Sequence, residues 1–101
     1  MTSLKDLFDS SYLVYKLINH SKEEIYYGIT NDFDSRIDKH KNNDVVATKR
    51  WVFGKDDIDK KIIDTDLTKP KASDKAHEHS NGNLSDLLKY SSYEVIKTGG
   101  W

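Results

Sequence analysis

The sequence predicts an α+β domain, a small central antiparallel β-sheet of about three strands flanked by helices in the order ββαβα. Three observations predict it. Residues 12–18 (YLVYKLI) and 24–30 (EIYYGIT) are short apolar runs rich in tyrosine and β-branched residues, separated by the polar Asn19-His20-Ser21-Lys22. Phe33, Arg36, Ile37 and His40 then fall at i, i+3, i+4 and i+7, one contiguous face of a helix. A third β-branched run follows from Ile58 to Leu67.

A chain of 101 residues is sized for one domain, taken as 1–101, with a hairpin and helix over 12–42 and a C-terminal half over 58–100. Its 36% hydrophobic content is low and its 33% charged content high. Six Tyr, three Phe and two Trp supply enough large buried area to argue for a folded chain.

Taken in order, Leu4, Leu7 and Phe8 have the spacing of a short helical turn. Tyr12 to Ile18 reads as a strand buried on both faces, and the short gap before Glu24 makes the first two strands an antiparallel hairpin. Thr30, Asn31 and Asp32 offer side-chain oxygens to orphan backbone N–H groups and so start the helix, which Asn42 and Asn43 end. Arg36 and His40 are expected together at the edge of its buried stripe.

The period of Val45–Phe53 fits either a short helix or an irregular apolar segment, and Gly54–Asp57 is a turn. In the third strand Ile58 and Ile62 share one face, with Ile63, Thr65 and Leu67 on the other. Lys69-Pro70-Lys71 is expected as a break, because proline has no N–H to give a regular element. Ser73 then caps a helix over Ser73–Ser80, closed by Asn81-Gly82-Asn83. Leu84, Leu87 and Leu88 suggest a further helical turn, Tyr93–Ile96 a last short strand, and Thr98-Gly99-Gly100 a loop.

Net charge is −1, so the chain lacks the global basic field of a non-specific nucleic-acid binder. Between Arg36 and Arg50, however, Arg36, Lys39, Lys41, Lys49 and Arg50 face only Asp38 and Asp44. Such a strip can hold an anion locally or serve as a solvated face. Without cysteine there is no disulfide and no thiolate zinc site, and redox compartment is unreadable. The N-terminus has neither a basic nor an apolar targeting region and no run is of membrane-spanning length, which makes the cytoplasm the default location. His77 and His79, two apart on a helix, point to different faces and do not form a zinc pair. P-loop, GxSxG and HExxH patterns are absent.

Val14-Tyr15, Tyr26-Tyr27-Gly28, Arg36 and His40 fall in the order and spacing of one known family, and the chain here resembles the GIY-YIG nucleases. Leu13 stands where the first motif has glycine, and Glu94, in Tyr93-Glu94, where the family has asparagine. The resemblance is close from Tyr12 to His40 and looser from Ile58 to Gly100. It implies a divalent-metal-dependent endonuclease acting on nucleic acid, with DNA favoured over RNA and Mg²⁺ or Mn²⁺ as cofactor. By the same resemblance Tyr15 and Tyr26 position or deprotonate the attacking water, Arg36 neutralises charge on the phosphate, His40 orients a tyrosine or shuttles a proton, and Glu78 holds the metal. Gly28 lets backbone approach the phosphate, and Lys39, Lys41, Lys49 and Arg50 extend the nucleic-acid surface.

These assignments suit the chemistry, since hydrolysis builds negative charge on phosphoryl oxygens that a permanently protonated guanidinium can meet. Each residue also has a plainer use: cross-strand tyrosines in a core, a surface Arg–His pair, a solvated helix glutamate, and Trp51 in the core. The rival functions are a catalytically degenerate nucleic-acid-binding module and a protein-interaction domain on the same scaffold. Substrate specificity and oligomeric state are not written in the sequence.

Overall fold

A computed structural model describes residues 10–81 and 92–96. The expected turn at Leu4–Phe8, the helical turn at Leu84–Leu88 and the loop at Thr98–Gly100 lie outside the described residues. Strands β1 (Tyr12–Asn19) and β2 (Glu24–Thr30) form the hairpin, helix α1 (Phe33–Lys41) follows, and a 3₁₀ turn at Val46–Thr48 leads towards β3 (Ile58–Leu67). Helix α2 (Lys69–Ser80) and the short strand β4 (Glu94–Ile96) complete the fold.

The sheet order is β3-β1-β2-β4. β1 pairs antiparallel with both β2 and β3, as expected, whereas β4 lies parallel to β2 and makes a four-stranded mixed sheet. An antiparallel neighbour follows from a short hairpin loop, but the orientation of a strand returning from a distant segment leaves no such local signal.

Period-two alternation sends the hairpin's residues to two cores. On one face Tyr15, Leu17 and Tyr26 pack with Ile37 of α1 and with Val45 and Trp51 of the irregular segment. On the other, Val14 packs with Ala72 and Ala76 of α2, and Ile18, Ile25 and Tyr27 form an adjoining cluster. Small residues at 72, 76 and 80 form one stripe that lets α2 lie close to the strands. The sheet therefore separates the two helices.

The Asp32 side chain accepts a hydrogen bond from Ser35 N–H at 3.1 Å and caps α1. Asn43, in the left-handed region at φ 59°, ends it and donates from Nδ2 to the carbonyls of Lys49 and Trp51. Helix α2 starts at Lys69, four residues before the expected Ser73 cap, with Pro70 inside its first turn. First-turn N–H groups have no intrahelical acceptor, so proline loses nothing there. Beyond the hairpin turn, Asp56 gathers Asn19 Nδ2, Lys22 Nζ and Val52 N–H at 2.8–3.1 Å, tying the loop before β3 to the turn.

Candidate active site

The helical face that carries Phe33, Arg36, Ile37 and His40 lies over the Tyr15 side of the hairpin. His40 is completely buried rather than at the rim of the stripe. Its Nε2 lies 2.8 Å from the Tyr15 hydroxyl, and its Nδ1 lies 2.7 Å from Thr48 Oγ1. Its ring meets those of Tyr15 and Tyr26 edge-on, with centroids 5.9 and 5.2 Å away. Both tyrosines are sealed, at 0% and 1% exposure.

Burial sets the electrostatics. It raises the Tyr15 phenol well above its ordinary pKa, with Tyr26 acting in the same direction and the Arg36 guanidinium opposing them. Burial, followed by the positive charge of Arg36, pushes His40 down to about 4. At neutral pH the imidazole is therefore uncharged and offers one donor and one acceptor to its two partners. Burial also works against the Arg36 charge, but the phenol oxygens of Tyr15 and Tyr26 outweigh it and the net shift is upward. Arg36 is half-buried, and its Nε is enclosed without a hydrogen-bond partner.

Gly28 faces Tyr15 across the hairpin register. A β-carbon at position 28 would stand 2.5 Å from Tyr15 Cζ and from its hydroxyl oxygen. The space the glycine leaves is filled by the phenol, so the expected close approach of backbone to phosphate is replaced by a close approach of backbone to the ring.

Arg36 also lines a cleft of about 310 Å³, together with Tyr12, Asp32, Ser35, Lys39 and Lys69. The cleft lies where β1 begins, β2 ends and both helices start. The structure thus brings Tyr15, Tyr26, Arg36, His40 and Gly28 into one neighbourhood and places Lys39 beside Arg36. Lys41 and Lys49 are exposed and do not line this cleft. Arg50 is held elsewhere: its Nη2 donates to Glu24 Oε2 at 2.7 Å, while Trp51 Nε1 donates to Glu24 Oε1 at 3.0 Å from the core.

Glu78 is not part of the group. It sits on α2, across the sheet from Tyr15, exposed and turned away from the Ala72–Ala76 stripe. Nine residues also separate it from Lys69 at the cleft, about 13 Å along the helix. Among the described residues no cluster of three His, Asp or Glu side chains is arranged to hold a metal ion. Asp32 is the one carboxylate among the described residues lining the cleft beside Arg36, too few for the chain's side chains alone to enclose a divalent metal there. Glu94 pairs with Glu24 at the far end of β2 from the cleft. Sequence reasoning missed Thr48, which no spacing rule links to His40, and Tyr12 and Lys69, which become neighbours of Arg36 only through the sheet.

A family model, the GIY-YIG catalytic domain, matches residues 11–85. The chain belongs to the GIY-YIG family. Members of that family are nucleases, act generally on nucleic acid and generally depend on a divalent metal. No curated protein matches the chain, and no solved structure does. No helix among the described residues is long and apolar enough to cross a membrane.

Proposed function

We propose that the chain is an endonuclease that hydrolyses nucleic-acid phosphodiester bonds, with Arg36 as the residue that meets the phosphate. One observation carries this reading: Arg36 stands between an open cationic cleft and the enclosed Tyr15–His40–Thr48 chain. Water attacks phosphorus, the new P–O bond forms, and the bond to the leaving oxygen breaks. Arg36 offsets the charge that builds on the phosphoryl oxygens. The water's proton leaves to solvent in the open cleft, and a solvent proton reaches the leaving oxygen. The sealed Tyr15, kept protonated by burial, and the neutral His40 form the fixed wall against which Arg36 is positioned. In that wall His40 Nδ1–H donates to Thr48 and Nε2 accepts from the Tyr15 hydroxyl, which fixes the orientation of the phenol. No step is routed through a metal, because the described residues do not hold one beside Arg36.

A second reading has specific support. Both phenols are sealed from solvent and Glu78 lies across the sheet, an arrangement that suits a degenerate module binding nucleic acid without cutting it.

Nicking of supercoiled plasmid and cleavage of RNA, each with Mg²⁺ or Mn²⁺, separate the two. The parent protein is expected to cut, and Arg36→Ala to slow cutting by a factor on the order of 10² or more. An inactive parent across both metals and both substrates overturns the nuclease reading, and salt-dependent binding without cleavage selects the second.

A further inference from the structure

The cleft beside Arg36 gathers three cations and an aromatic ring in one concavity. Arg36, Lys39 and Lys69 all line it, and among the described residues none of the three forms an ion pair. Lys22, Arg50 and Lys75, outside the cleft, are matched by Asp56, Glu24 and Asp64. The one carboxylate in the lining, Asp32, is engaged in capping α1. On a chain of net charge −1, this leaves an uncompensated trio of cations in a concave site.

The fourth wall is Tyr12. It packs against the Val14, Ala72 and Ala76 cluster and also borders the cleft, so an aromatic side chain is held in place beside the cations. A planar aromatic next to a positively charged groove is the arrangement that binds unstacked bases, because every base has a π-face to lay on a ring. At about 310 Å³ the cleft is at the small end of ligand sites and takes one nucleotide unit rather than a stacked duplex.

We infer that the cleft is a single-nucleotide subsite for single-stranded nucleic acid, with the base against Tyr12 and the flanking phosphates on Lys39 and Lys69. The inference deepens the proposed function and rests on the reading that Arg36 meets a phosphate. It adds Tyr12 and Lys69 to the binding surface and specifies an unpaired strand. Two structural features thus fix two chemical preferences, the trio for phosphate and the ring for an exposed base.

The test is fluorescence anisotropy in EDTA, so that binding is read without cleavage. The probes are a labelled twelve-residue oligothymidylate and the same strand annealed to its complement. Tighter binding of the single strand is expected. Tyr12→Leu is expected to weaken it roughly tenfold or more while Tyr12→Trp retains it. Lys69→Gln is expected to lower the slope of log affinity against log salt by about 1.

Melting of each variant checks that the fold is intact, and the Trp variant keeps the test decisive should Leu disturb packing. Equal or tighter binding of the duplex overturns the inference, as does single-strand affinity unchanged in both Tyr12→Leu and Lys69→Gln. If the plasmid and RNA assays show no cutting while this binding pattern holds, the nuclease reading fails and the subsite stands.

Discussion

At the scale of single residues, Thr48 is the least conspicuous part of the site and the one that fixes its protonation. A neutral His40 enclosed on all sides needs a partner at each ring nitrogen, and Thr48 supplies the one at Nδ1. Thr48→Val keeps the volume but orphans a buried polar group, with an expected cost of about 1–3 kcal/mol in urea unfolding. Thr48→Ser retains the hydroxyl and is expected to recover most of that loss. Nitrogen NMR of the His40 ring distinguishes this positioning role from mere packing, since Val and not Ser shifts the tautomer balance. Nothing in the sequence points to Thr48, which lies in a segment whose period is ambiguous. Arg36 and His40 were legible because helical spacing alone sets them on one face. Burial of His40 was not, because a helix stripe reveals which side faces inward and not how deep the opposing surface is.

Among the elements, the hairpin was the most readable and its register explains why. Two alternating runs joined by a short polar gap have few ways to pair, and the Tyr15↔Gly28 match follows from that pairing. Gly28→Ala places a methyl group inside the phenol's van der Waals surface, and a loss of roughly 1–3 kcal/mol is expected in denaturant unfolding. Gly54→Ala, with open space around the new carbon, serves as the control and is expected to change little. Less readable were elements set by contacts distant in sequence. α2 begins earlier than its serine cap suggests because proline is harmless in a first turn, and β4 joins β2 in parallel through a connection that leaves no local pattern. Glu78 was chosen as the acid in the middle of its helix, but only the sheet between α1 and α2 decides which residues share a side.

For the molecule as a whole, two carefully placed groups give stability a two-limbed acid dependence. His40 is held at about 4, below the ordinary histidine value near 6.5, so the unfolded chain takes up the proton first. Its contribution is complete above about pH 6.5 and is lost as pH falls towards 4, on the order of 3 kcal/mol. The Asp56 carboxyl is lowered to about 2 by its bonds to Asn19, Val52 and Lys22. Its contribution is present above the ordinary carboxylate value and is lost as pH falls through that range towards 2. Urea midpoints measured at pH 7.5, 5 and 3 are expected to fall in both steps. In His40→Gln the first step disappears and the second remains; a first step of unchanged size would place its origin elsewhere.

The trio of unpaired cations has a consequence for how partners arrive as well as for how they stay. With three positive charges gathered at one end of the sheet and a slightly negative total, the remainder of the chain is distinctly acidic. An anionic strand meets a cluster of three lining cations in the cleft, so the approach that brings a phosphate there is favoured before close contact is made.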